Sequence, residues 1–150
     1  MEIENMPFSR RMMNMVVVYQ SYIQSGIAPL KLGLSEYPIL LKLAFSGKDL
    51  LLCQNEMARE LHRDKALIAR AVRHLTQMGY LTTAAHPYHK SKKILRLTET
   101  GRTVAYQVRE ITMRWDDRVK EMFAEEEWEA FLSGFEKVAR VTADLEEGAD

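Results

Sequence analysis

The side chains whose chemistry is easiest to read lie between residues 65 and 73. Lys65, Arg70 and Arg73 are cations and Ala66 and Ala69 are small, so one face of a helix through KALIARAVR sets guanidinium groups beside positions where the backbone can approach a surface. A guanidinium donates paired, parallel N–H bonds, the geometry that suits a phosphate or the acceptor edge of a guanine. The opposite face repeats Ile68, Ala71, Val72 and Leu75 at i, i+3, i+4 and i+7, which is a buried stripe. A merely solvated basic helix would show the same cations, and the flanking segments decide between the two. Downstream, HPYHKSK gathers His86, His89, Lys90, Lys92 and Lys93 into one loop with the reach to touch phosphates or a minor groove. The candidate nucleic-acid contacts are therefore Asn55, Lys65, Ala66, Ala69, Arg70, Arg73, His89, Lys90, Lys92 and Lys93.

Those residues need a scaffold, and the segment from Gln54 to Gly101 supplies one. Met57, Ala58 and Leu61 form the apolar face of a short helix capped by Gln54 or Asn55; His62 and Arg63 make a turn, and Asp64 caps the second helix. Gly79 closes that helix. Two strands follow, Leu81 to Ala85 and Lys92 to Leu97, with Leu95 and Leu97 alternating as an inward face. Thr98 caps the next helix and Glu99 sits in its first turn. Two helices at a tight turn followed by a hairpin form an order suited to holding one helix in a DNA groove.

Charge supports this division. The formal net charge is zero, yet residues 52–102 hold ten Lys and Arg against four Asp and Glu, whereas 103–150 hold six against thirteen. One lobe can face a polyanion while the other repels it. With 150 residues the chain can bury a real core as one compact unit. The apolar runs Met15–Tyr19 and Tyr37–Leu41 are too short to span a bilayer, and no basic region precedes a signal-like segment, so a cytoplasmic location is expected. Cys53, without a second thiol, reads as a small apolar residue. No glycine-rich phosphate loop, GxSxG, HExxH or paired Cys cluster is present, which argues against an enzyme and gives no cofactor to expect. His86 and His89 have HxxH spacing; with an outside ligand they would make a metal-responsive variant, although zinc usually takes three or four protein ligands.

The flanking segments are helical. Asn5 and Pro7 precede a helix on which Phe8, Met12, Met15, Val16, Tyr19 and Ile23 recur at helical spacing, ended by Gly26 and Pro29. Met13, Val18 and Tyr22 make a second apolar face, which fits packing on a partner subunit or complete burial in a core. Ser35 is expected to cap a second helix with Tyr37, Leu40, Leu41, Ala44 and Phe45 inward, and Leu50 to Cys53 to form a small strand on the hairpin edge. A long helix runs from Thr98 to about Phe123 through Val104, Val108, Ile111 and Trp115. A last helix from about Glu125 carries Trp128, Phe131, Leu132, Phe135, Val138, Val141 and Leu145.

At ELHRDKALIARAVRHL, the GYL entry to the hairpin and the exit LRLTETG, the chain resembles the MarR family of bacterial winged-helix transcription regulators over nearly its whole length. The resemblance implies a mainly α fold (an α+β winged helix) of about six helices with a small β-hairpin wing. It implies a winged helix-turn-helix at 35–102 and dimerisation helices at 1–34 and 103–150, with first and last helices interleaved between protomers. It further implies a repressor of a palindromic operator on double-stranded DNA, released by a small lipophilic or aromatic effector. Met12, Met15, Tyr19, Tyr37 and Trp115 are the candidate effector contacts, near the junction of the two lobes. One departure stands out: the family's wing usually carries Asp-x-Arg, and His89 and Ser91 occupy those positions. A winged helix serving as an architectural or protein-interaction module is the other class that this pattern admits. The unspent apolar faces predict a homodimer, so sedimentation at micromolar concentration should give twice the chain mass, and a monomer alone would overturn that expectation.

Overall fold

The computed structural model describes residues 6–47 and 50–148; Asn5 lies outside them. Among the described residues the elements are helices α1 (Phe8–Ile27), α2 (Tyr37–Phe45), α3 (Gln54–Glu60) and α4 (Lys65–Gln77), strands β1 (Leu81–Ala85) and β2 (Lys93–Leu97), then helices α5 (Glu99–Lys120) and α6 (Glu125–Glu147). A 3-10 turn, Ala28–Leu30, follows α1. Six helices and one antiparallel hairpin are the architecture of a winged helix-turn-helix, as the sequence implied. Two compact units make up the chain, divided within α5: one reaches Thr112, the other starts at Met113.

The core of the first unit is wholly apolar among the described residues. Ile23 and Ile27 of α1, Ile39 and Leu40 of α2, Met57 of α3, Ile68 and Leu75 of α4, Leu81 of β1 and Val108 of α5 are closed to solvent or nearly so. The expected α4 stripe of Ile68, Ala71, Val72 and Leu75 is buried in full. On α1 the buried residues come only from its last turns; Phe8, Met15 and Val16, which recur at helical spacing, are exposed together with Met13, Val17 and Val18. Phe45 is likewise more open than its spacing suggested, while Ile39 is buried in its stead. Phe45 ends α2, and Tyr106, edge-on at 5.2 Å, and the Arg109 guanidinium, 4.7 Å over its ring, cover it only in part.

Two helix starts differ from expectation. Ser35 does not cap α2; Glu36 is the N-cap residue, and one of its oxygens accepts from the Gly33 N–H at 2.7 Å while the other lies 2.7 Å from Nδ1 of His74 on α4. The Glu36 carboxylate bonds the preceding turn and α4, and no side chain caps the first N–H groups of α2 among the described residues. Cys53, not Gln54 or Asn55, precedes α3 as its N-cap residue, and Glu56 at N3 accepts the Cys53 N–H at 2.9 Å. Cys53 is held extended by a bridge to Ile94 of β2, so the helix cannot begin before Gln54. That bridge, with the Leu95 N–H donating to Leu52 O at 2.8 Å, is all that forms where a third small strand was expected. The pairing stops there because α3 starts at once.

In the hairpin Leu81 faces Leu97 and Thr83 faces Leu95. Leu95 is buried as expected, but so is its neighbour Ile94, because both α2 and α3 pack against β2 and the strand is covered on two faces. Strand β2 starts one residue later than the spacing suggested, since the Lys92 N–H is taken by His89 O at 2.9 Å in the preceding turn.

The tightest junction in this unit joins α4, the hairpin and α5. Gly79 sits at φ 73° after α4, and Tyr80 and Gly79 donate back to Leu75 O and Thr76 O, both at 3.0 Å. The Thr98 hydroxyl donates to Gly79 O at 2.6 Å and accepts the Gly101 N–H at 3.0 Å, while the Thr98 N–H donates to Tyr80 O at 3.1 Å. A Cβ on Gly101 would stand 1.8 Å from Tyr80 O, so only glycine admits this approach.

In the second unit, Phe123, Trp128, Phe131 and Phe135 form a file of rings with successive centroids 5.5 to 6.3 Å apart. Glu127 accepts the Ala124 N–H at 2.8 Å at the head of α6. Phe131, Leu132, Phe135, Val141 and Leu145 are exposed. Among the described residues no helix is long and apolar enough to cross a membrane.

Gly101→Ala should lower stability by about 3 kcal/mol through overpacking against the Tyr80 carbonyl, and Thr98→Val by about 1–2 kcal/mol through lost hydrogen bonds. Urea denaturation checks both; an unchanged midpoint in Gly101→Ala would mean that the junction yields freely.

Candidate nucleic-acid interface

The turn between α3 and α4 is built without glycine. His62 adopts φ 49°, and the chain reverses as Arg63 and His62 donate to Ala58 O at 2.9 Å and Arg59 O at 3.1 Å. Asp64 then caps α4: its Oδ1 accepts the N–H groups of Ala66 at 2.9 Å and Leu67 at 3.1 Å. These two ends fix the direction in which α4 leaves α3. With the apolar stripe of α4 inward, Lys65, Ala66, Arg70 and Arg73 are exposed and Ala69 is half-buried. None of Lys65, Arg70 and Arg73 has an ion-pair partner among the described residues.

A groove of about 610 Å³ opens beside the start of α4, lined by Cys53, Gln54, Asn55, Glu56, Arg59, Lys65, Ser91, Lys92 and Lys93. It brings together four residues singled out in the sequence, Asn55, Lys65, Lys92 and Lys93, from three separate elements. Ala66, Ala69, Arg70 and Arg73 lie outside it along α4, and His89 and Lys90 lie at the hairpin tip. Arg59 was missed; it stands one helical turn beyond Asn55 on α3, and that i, i+4 spacing was the available signal.

Among the described residues Glu56 is the one acid of the groove, with Lys92 Nζ at 3.8 Å. The Cys53 N–H, then the Lys92 and Arg59 charges, hold its carboxyl below the ordinary glutamate value. Because the folded value is depressed, the contribution of this cap is present at neutral pH and is lost as pH falls through that value.

The hairpin tip is pinned by its backbone. His86 donates to Lys92 O at 3.0 Å, and the Tyr88 N–H donates to His86 Nδ1 at 3.1 Å. The His86 and His89 rings lie 4.8 Å apart, and the Tyr88 ring lies 6.1 Å from His86 at 64°. Tyr88 is 83% exposed, a residue that the sequence reading passed over between its charged neighbours. Among the described residues no group of three or more His, Cys, Asp or Glu is placed to hold a metal ion.

Of the candidate effector contacts, Met12 and Tyr19 are half-buried on α1 and Met15 is exposed. Tyr37, at the head of α2, is half-buried; burial raises its phenol above the ordinary value, opposed by a hydrogen bond with Tyr19 and by the charge of Arg63. The structure therefore joins Tyr19 and Tyr37. Trp115 is half-buried in the second unit.

No family model matches the chain. It is 25% identical over 129 residues to the HTH-type transcriptional regulator BilQ of Clostridioides difficile (strain CD3), covering 86% of this chain and 85% of that one. Among solved structures it is similar to MarR, with a TM-score of 0.78 and 21% identity over 97% of each chain. It is also similar to the S. aureus MepR-DNA complex, with a TM-score of 0.82 and 15% identity over 92% of this chain and 99% of that one. Read together with the α3-turn-α4 geometry and the hairpin that follows, these likenesses establish that the chain has the fold of the MarR-family winged-helix regulators.

Proposed function

We propose that this chain is a DNA-binding transcription regulator, a homodimeric repressor of a palindromic operator, with no catalytic role. The observation that carries the reading is α4 itself: a helix capped by Asp64, buried along one stripe, with Lys65, Arg70 and Arg73 exposed on the other and, among the described residues, without ion-pair partners. Arg70 and Arg73 have the paired donors to read guanine or hold phosphate, and Ala66 and Ala69 let the backbone close on the groove floor. Asn55, Lys65, Lys92 and Lys93 in the basic groove, with His89 and Lys90 at the wing, take adjacent phosphates. The HTH-type regulator among its relatives and the DNA complex of MepR support the same assignment.

Residues 35–102 form the reading block in this proposal, and 1–34 with 103–150 the dimerisation helices. Support for a dimer comes from two uncovered apolar faces: Met13, Val17 and Val18 on α1, and Phe131, Phe135, Val141 and Leu145 on α6. A two-fold partner burying them would set two α4 helices on successive major grooves of a palindrome. A protein that works on chromosomal DNA belongs in the bacterial cytoplasm. Release by a small lipophilic or aromatic effector rests on the aromatic and methionine supply at Met12, Met15, Tyr19, Tyr37 and Trp115. Such a ligand acts only as far as its affinity differs between the bound and released arrangements.

Arg70→Ala should weaken binding to a duplex selected by the wild-type protein by about tenfold and relax base preference at one position, as lost bidentate contacts do. Unchanged binding by fluorescence anisotropy would move the reading surface away from α4. Glu56→Gln keeps an acceptor for the α3 cap but removes the acid from the groove, so binding to a nonspecific duplex at low salt should tighten severalfold. No change there would mean that the groove does not face the phosphates.

A further inference from the structure

The wing tip of this protein runs His86, Pro87, Tyr88, His89, Lys90, Ser91, with neither an acid nor an arginine. Its charged reach is one lysine, a point charge that holds a phosphate but carries little information about the groove floor. What projects instead is a ring. Tyr88 is 83% exposed, although a tyrosine free to choose would fold its apolar body onto the sheet beside it. Its backbone has no such freedom. Pro87 fixes the preceding φ, the Tyr88 N–H is tied to His86 Nδ1 at 3.1 Å, and His86 is tied in turn to Lys92 O at 3.0 Å across the loop. The His86 ring lies 6.1 Å from the Tyr88 ring and 4.8 Å from that of His89. A rigid base therefore carries an outward aromatic at the end of a hairpin whose other side faces the basic groove of Lys92 and Lys93.

We infer that Tyr88 is the wing's minor-groove residue: its ring packs against deoxyribose and a base step of the duplex flanking the α4 site, as an apolar wedge in place of an inserted cation. The inference rests on the DNA-binding reading above and adds to it the residue and the kind of contact. A wedge releases no counterions, so its energy is insensitive to salt, whereas each lysine on a phosphate contributes to the salt dependence.

The test uses the full chain and a 30-base-pair duplex that the wild-type protein selects from a random pool, with 2-aminopurine placed in turn at the flanking steps. Tyr88→Ala should weaken binding by about tenfold with the slope of log K against log salt unchanged, and Tyr88→Phe should retain binding. Lys90→Ala should reduce that slope by about 0.9. Wild-type protein should raise 2-aminopurine fluorescence at one flanking step, and Tyr88→Ala should abolish the rise. Tyr88 is 83% exposed, so thermal melting of Tyr88→Ala should match wild type and exclude misfolding as the cause. Should Tyr88→Ala bind within twofold of wild type, or reduce the salt slope as a lysine does, the inference is overturned while the reading of α4 stands. If the wild-type protein enriches no duplex at all, the DNA-binding reading itself fails, and the wedge with it.

Discussion

The placement of the wing against α4 depends on how the first turn of α5 is held against the end of α4. The Thr98 hydroxyl bonds the last turn region of α4 at Gly79 and the first turn of α5 at Gly101 simultaneously, and the missing Cβ of Gly101 allows the Tyr80 carbonyl to lie where a side chain would be. Four elements meet within these few residues: α4 ends, β1 begins, β2 ends and α5 begins. A hairpin of two five-residue strands has little stability of its own, and here both of its ends are anchored at one point. The direction of the wing relative to α4 is thus set by backbone hydrogen bonds rather than by side-chain packing at its tip.

Charge is arranged around that frame with one deliberate-looking exception. Arg59 of α3, Lys65 of α4 and Lys92 and Lys93 of the hairpin meet at one groove, yet the acid Glu56 stands inside it. Its position follows from helix termination, because α3 begins directly after a residue that is paired to β2 and needs an acceptor for its N–H. The local demand for a cap and the long-range preference for a positive surface compete at this residue, and the cap prevails. Lys92 at 3.8 Å partly offsets the cost.

Much of this was legible in the sequence where one physical rule acted alone. The stripe on α4, the Asp64 cap, Gly79 at the helix end and the Thr98 cap each follow from local spacing or capping, and each stands where the residues placed it. The sequence misled where a distant element supplied the competing force. Ser35 does not cap α2, which starts one residue later after Glu36, whose carboxylate is bonded to Gly33 and to His74 on another helix. Leu50 to Cys53 shrank from a strand to a bridge because α3 claims the following residues. Ile94 broke the alternation because two helices cover β2. In the candidate site the charged residues were visible and Tyr88 was not, since nothing in a run of loop residues announces that an aromatic will be held outward.

The tie between Leu52, Cys53 and β2 bears on what kind of motion this fold permits. The segment that leads into α3 is hydrogen-bonded to the strand that leads out of the wing, and Cys53 is at once the bridge partner of Ile94 and the residue from which α3 starts. Together with the Thr98 junction this closes a loop of covalent and hydrogen-bonded links through α3, α4 and both strands. A motion that changed the angle between helix and wing would have to break these bonds, whereas carrying the helix-turn-helix and the wing together would leave them intact.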